Sequence, residues 1–167
     1  MATVSSPPIT IRPYLVGDAD AVAALIVKIQ RQEFNIPITL EDQPDLIDID
    51  GFYAKGCGGF WVALDGDALV GTIALLDINN HQAALRKMFV AENYRGSVIG
   101  VAKMLLNHLI GEARHKGVLE IYLGTTADFV AAHRFYEKHG FKQFSKTDLP
   151  PHFPILQVDS RFYQLTL

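Results

Sequence analysis

Apolar residues in this chain recur with two periods, and the places where one period gives way to the other divide it into elements. Ile9 to Tyr14 alternates as a short strand. Val22, Leu25, Ile26 and Ile29 then recur at helical spacing behind Asp18, a residue type suited to a helix N-cap, and predict an amphipathic helix ending near Phe34. From Asn35 to Gly59 the periodicity dissolves into prolines, acids and glycines, with one short helix expected over Asp45 to Ala54. So long an excursion in a small chain is often functional. Strand patterns return at Phe60 to Leu64 and Ala68 to Leu76, flanking the hairpin signal Asp65-Gly66-Asp67, and Asn79-Asn80 turns the chain into a third at Ala83 to Val90. Loops this short make the meander antiparallel.

In the second half, Val98, Val101, Ala102, Leu105, Leu106, Leu109 and Ala113 trace the apolar stripe of a long helix closed by Lys116-Gly117. Glu120 to Gly124 is a strand reached through that helix, and so a parallel neighbour of the strand before it. A helix from about Asp128 to His139 closes on Gly140, and Phe141 to Phe144 begins another strand. Asp148 to Pro154 holds Pro150, Pro151 and Pro154, which forbid regular structure; this segment either lids a pocket or connects two strands. Arg161 to Leu167 alternates as a last strand, and an edge strand there is compatible with a homodimer.

The 167 residues, 49% of them hydrophobic, suit one domain over 1–167 with 1–8 as a flexible leader. A net charge of −3 with scattered Lys and Arg offers no footprint for nucleic acid or an anionic membrane. The start of the chain has neither a charged nor an apolar signal region, and no run approaches the roughly 18 apolar residues of a membrane span, so a cytoplasmic location is expected. Cys57 is the single cysteine, which excludes an intrachain disulfide or a CxxC site and leaves a loop thiol among glycines. The six histidines lack metal-ligand spacing, and no metal is expected.

The strand ending at Val90 passes through Ala91-Glu92-Asn93-Tyr94 into Arg95-Gly96-Ser97-Val98-Ile99-Gly100, which opens the long helix. The first amides of a helix lack internal acceptors and sit at its positive end, and small residues let an anion such as a diphosphate approach them. Taken alone this is a weak signal, because turns of the same composition also end strands for structural reasons. No Gly-Lys-Ser/Thr closes the turn as in a nucleotide P-loop, and Gly-x-Gly-x-x-Gly is absent.

The segment resembles the coenzyme A motif of the GNAT N-acetyltransferases, Gln/Arg-x-x-Gly-x-Gly/Ala. Arg95, Gly96, Ile99 and Gly100 fit, as do Tyr94 and the Leu105-Leu106 pair, with Val98 where the middle glycine usually stands. A second, independent match follows: Ala132-His133-Arg134-Phe135-Tyr136-Glu137-Lys138-His139-Gly140-Phe141 is similar to the family's Asn-x-x-Ala-x-x-hydrophobic-Tyr-Glu-Lys-x-Gly-Phe, with Phe129 in place of the asparagine. The resemblance implies an α/β (α+β) fold: a mixed, mostly antiparallel sheet of six to seven strands, helices on both faces, and a splay between the fourth and fifth strands.

It further implies an acetyl-CoA-dependent N-acetyltransferase moving the acetyl group to a primary amine of a small molecule by direct attack. A peptide N-acetyltransferase and a non-catalytic acyl-CoA-binding module are the alternatives. The expected cosubstrate contacts are Met88, Phe89 and Val90 along the pantetheine arm, Arg95, Gly96, Ser97, Val98, Ile99, Gly100 and Val101 at the diphosphate, and Ala132 and Phe135 on the later helix. Tyr136 is the expected acid for the departing thiolate; its alternative is a core-edge aromatic. Relatives often place a glutamate base where Ala84 stands, so Glu33, Glu41, Asp42, Asp45 and Glu92 remain open as bases, some through water. Arg31 to Tyr53 would lie beside the acetyl end, where its acids would attract a cationic amine or else form a solvated face; Glu33 and Phe34 are the residues named from it for acceptor contact. Arg86, if it faces the cleft, would pair with a carboxylate on an amino-acid-like acceptor.

Overall fold

The computed structural model describes residues 8–96 and 98–167; most of the leader and the expected diphosphate contact Ser97 lie outside them. The strands are β1 (Ile9–Pro13), β2 (Gly59–Asp65), β3 (Ala68–Asp77), β4 (Gln82–Val90), β5 (Glu120–Thr125), β6 (Lys142–Phe144) and β7 (Arg161–Thr166). The helices are α1 (Ala19–Lys28), α2 (Pro44–Ile47), α3 (Ile49–Tyr53), α4 (Val101–His115) and α5 (Val130–Lys138). One seven-stranded sheet runs in the order β1-β2-β3-β4-β5-β7-β6. Only β4 and β5 pair in parallel; the other neighbours are antiparallel.

Alternation along the strands divides the core between the two faces. Trp61, Ala63, Ile73 and Leu75 pack with Val101, Leu105, Leu106, Leu109 and Ala113 of α4. Phe60, Val62, Leu64 and Ala74 pack on the other side with Val22 and Ile26 of α1 and Tyr53 of α3. Gly71 lets α4 sit low on β3, since a Cβ there would meet Leu105 Cδ1 at 3.0 Å. Leu105 is wholly buried, so Leu105→Ala is expected to destabilise the fold by about 2–5 kcal/mol, read as a lower urea midpoint with little change in slope.

Several expectations are corrected. Asp18 does not cap α1 through its side chain; its carboxylate accepts from Arg12 at 2.7 and 2.9 Å and from the Leu15 N–H at 2.8 Å, within a preceding 3-10 turn. The single helix expected over Asp45 to Ala54 is two, because Asp48 leaves the helical path (φ −135°, ψ 77°) and accepts from the Gly51 N–H to start α3. The long helix begins at Val101 and not at Val98, since Gly100 is left-handed (φ 74°) and interrupts the turn before it. The C-terminal strand is no edge: β7 lies between β5 and β6, leaving β1 and the three-residue β6 outermost, so the edge-pairing argument for a homodimer falls. No described helix is long and apolar enough to cross a membrane.

Candidate active site

The parallel pairing of β4 with β5 stops at Ala84–Tyr122, whereas β5 runs on beside β7 to Thr125. Beyond that point the two strands diverge, as expected of the fourth and fifth strands. The gap opens a cleft of about 730 Å³, walled by β4, β5, one face of α5, the residues after α1 and the loop before β7.

At one end stands the turn into α4. Arg95, Gly96, Gly100, Ala102 and Lys103 line it. The Gly100 N–H donates to the Gly96 oxygen at 3.2 Å and the Met104 N–H to the Gly100 oxygen at 3.0 Å, while the amides of Ala102 and Lys103 have no acceptor among the described residues. Gly96 and Gly100 both have positive φ, 99° and 74°, which folds the turn under the helix start. Val98 is 99% exposed and Ile99 also faces solvent, so a valine at that motif position puts no bulk into the cleft; Val101 is buried against the sheet. Arg95 does not reach freely outward: its Nε donates to the Val90 oxygen at 2.8 Å and its guanidinium pairs with Glu33 at 2.6 Å.

Along the middle, Met88, Phe89 and Val90 of β4 face Ala132, Phe135 and Tyr136 of α5 across the cleft. Tyr136 is buried on its helix, and among the described residues its hydroxyl meets only the weak acceptor Met88 Sδ, at 3.7 Å. Burial pushes its phenol pKa well above the ordinary value, so the proton stays on oxygen. Phe129, at the start of α5, stacks edge-on against Phe34 with centroids 4.5 Å apart, joining the two walls over the cleft.

The far end is polar and buried. Lys87 has φ 51° where β4 carries one residue more than β3, between the Thr72–Phe89 and Ala74–Arg86 pairs, and Thr72 Oγ1 holds its carbonyl at 2.7 Å. In a regular strand Arg86 and Lys87 would point to opposite faces. The bulge turns both toward Asp45, whose Oδ2 lies 3.9 Å from Arg86 and 3.6 Å from Lys87 and also accepts from Tyr53 Oη at 2.5 Å. Lys87 donates to Gln43 Oε1 at 2.6 Å, and Gln43 is locked to Gln30 by paired amide bonds of 2.9 and 3.1 Å. Desolvation lowers the Lys87 pKa, with Asp45 opposing the shift. Opposite them, Asp159 in the loop before β7 lies against Gly124, where a Cβ would come within 2.5 Å of its Oδ2.

This arrangement revises the acceptor end. Glu33 is bound to Arg95 and outside the cleft lining, while Phe34 and Arg86 are in it. The acids of the excursion are not a free negative surface: Asp42 accepts from Thr39, Asp48 caps α3, and Asp45 is held by two cations and a phenol. Glu41 and Glu92 are exposed. Gln30, Lys87 and Asp159 line the cleft unanticipated. Two adjacent basic residues in an otherwise apolar strand were the available signal for the bulge; nothing local marks Asp159. The proline-rich segment walls the cleft with Phe153 and Pro154 as well as connecting β6 to β7.

Residues 24–141 match the profile of the acetyltransferase (GNAT) family. An acetyltransferase of that family from Staphylococcus aureus Mu50 has the same fold, with a TM-score of 0.90 and 38% identity over 95% of this chain and 98% of that one. N-acetylaspartate synthetase of Danio rerio is 36% identical over 62% of this chain and 37% of the synthetase. The uncharacterized N-acetyltransferase YedL of Escherichia coli K12 is 35% identical over 65% of each chain. This chain thus spans little more than a third of the synthetase and just under two thirds of the bacterial protein.

Proposed function

Because the chain belongs to the acetyltransferase (GNAT) family, we propose that its cleft takes acetyl-coenzyme A and transfers the acetyl group to the primary amine of a small, carboxylate-bearing acceptor. The observation that carries this reading is the polarity of the cleft's two ends: helix-start amides without an acceptor among the described residues at one, and at the other the Arg86–Lys87 pair, turned inward by the bulge. The amides with Gly96 and Gly100 suit a diphosphate. The part of β4 freed by the splay offers main-chain groups to an extended pantetheine arm, as a strand would. Arg86 and Lys87 share Asp45 on one side of the cleft and face Asp159 on the other, which favours an acceptor carrying a carboxylate as well as an amine over a simple cationic amine. The similar synthetases take their name from an acetylated amino acid.

In the reaction the amine nitrogen attacks the thioester carbon, the tetrahedral intermediate collapses, and the carbon–sulfur bond breaks. Tyr136 supplies the hydrogen bond and proton that the departing sulfur needs. Phe34, stacked on Phe129, covers the cleft and limits water entry beside the thioester.

Thiol release should be measured with a panel of free amino acids, their decarboxylated amines and peptides. Turnover is expected with the carboxylate-bearing free amines, aspartate-like ones included, and to fall at least about tenfold on decarboxylation. Activity confined to peptides or to amines without a carboxylate would overturn the assignment. Arg86→Gln is expected to raise the KM for the acceptor about thirtyfold with the KM for acetyl-coenzyme A unchanged.

A further inference from the structure

We infer that Asp159 is the base that takes the proton from the acceptor's ammonium group. The inference rests on the acetyl-transfer reading above and supplies the group that reading lacks. Ala84 occupies the strand position from which related enzymes often offer a glutamate, and it is wholly buried in the sheet. Among the described carboxylates lining the cleft, Asp128 is exposed at the turn before α5, and Asp159 is half-buried at the polar end.

Three features set Asp159 apart. It is fixed: its Oδ2 accepts from the Leu156 N–H at 3.2 Å, its own N–H donates to the Leu156 oxygen at 3.0 Å, and Gly124 on β5 leaves room for the carboxylate against the strand. It has no ion-pair partner among the described residues, although Arg86 and Lys87 across the cleft are near enough to act on it. It stands opposite the cations proposed to hold the acceptor's carboxylate. A zwitterionic amino acid bridging the two sides would place its carboxylate on Arg86 and Lys87 and its ammonium on Asp159. A partly desolvated carboxylate without a cation gains most from such a ligand.

The groups facing Asp159 are Arg86 and Lys87 from β4, with Asp45 on α2 behind them, and Gly124 from β5. Arg161, two residues along, turns away to His133 and Tyr163. On α5 and just past its end, Tyr136, Lys138 and His139 also line the cleft. Burial raises the Asp159 pKa against the opposing pull of the Leu156 N–H, Arg86 and Lys87, which narrows its mismatch with an amine.

Proton accounting closes. Two protons leave the nitrogen between ammonium and amide: Asp159 takes the first and passes it to water, and the second leaves as the intermediate collapses. The sulfur gains one proton through Tyr136, which is reprotonated by that second proton. The products are the amide, the free thiol and one proton in solution.

The test is the pH dependence of turnover in Asp159→Asn, using the best amine of the panel so that a wrong acceptor class does not compromise it. Asparagine keeps an oxygen for the Leu156 N–H. At about pH 7 kcat/KM is expected to fall about a hundredfold. The variant should then recover roughly tenfold per pH unit toward the pKa of the free amine, whereas the unsubstituted enzyme levels off above the Asp159 titration. Calorimetric affinity for coenzyme A should not change. Gly124→Ala, whose added carbon displaces the carboxylate, should reproduce the neutral-pH loss and its alkaline recovery. A loss of less than threefold, or one of equal size at every pH, would remove Asp159 from the chemistry.

Discussion

Replacing Tyr136 by phenylalanine is expected to lower kcat by about two to three orders of magnitude while the KM for acetyl-coenzyme A stays within about threefold. Among the described residues the hydroxyl makes no strong bond, only its 3.7 Å approach to Met88 Sδ, so its removal leaves no strained or orphaned partner there. The ring keeps its packing against Phe135, Phe141 and Tyr163, and thermal unfolding should hardly move. What the variant removes is the proton donor proposed for the departing sulfur. Burial raises the phenol pKa, so the group remains a neutral donor across the working range and gives the rate no alkaline limb near the ordinary tyrosine pKa of about 10. The defect should shrink with a thioester whose leaving thiol is more acidic, because a better leaving group needs less help. Unchanged turnover in the variant would return Tyr136 to a packing role.

That residue was legible because its helix is local: a short run of sequence fixes the spacing of Ala132, Phe135 and Tyr136 on one face. The turn into α4 was legible for the same reason, since strand, glycines and helix follow one another without a break. Its fine structure was not. Val98 fits the i, i+3 spacing of the stripe by coincidence, and only the left-handed Gly100 shows that the helical path is interrupted before Val101. The insertion of β7 between β5 and β6 leaves no trace in periodicity, because strand order is a matter of non-local pairing.

The polar end of the cleft was hidden more thoroughly, for a geometric reason. Gln43 and Asp45 come from the irregular excursion, Arg86 and Lys87 from a bulge, and Asp159 from a loop far along the chain; only the tertiary fold brings them together. The bulge also inverts the rule that neighbouring strand residues face opposite ways, so a reading by alternation could place Arg86 or Lys87 in the cleft but not both. The acids of the excursion illustrate the converse error. Counted along the sequence they form a negative surface; in the fold Glu33, Asp42, Asp45 and Asp48 are engaged by Arg95, Arg86, Lys87 and local N–H groups, Glu41 and Asp50 face solvent, and none of the six lines the cleft.

Gly100→Val is expected to raise the KM for acetyl-coenzyme A about a hundredfold while leaving turnover of S-acetylpantetheine, which lacks the diphosphate, within about threefold. At φ 74° and ψ 28° the residue occupies the left-handed region, where a β-branched side chain costs on the order of 1–3 kcal/mol. The backbone can relieve that strain only by unwinding the step between the turn and α4. Unwinding redirects the amides of Ala102 and Lys103, which the proposed diphosphate site needs to converge on one anion. Tyr136 is held by its own helix and by Phe135, Phe141 and Tyr163, and the splay begins beyond Ala84 on β4, so the chemistry on a truncated donor should survive. The comparison of the two thioesters therefore isolates the diphosphate contribution from general destabilisation. If both donors lose activity equally, the helix start is structural and the anion is held by other groups; if neither does, the turn tolerates a branched residue and the glycine's backbone freedom is not what the site requires.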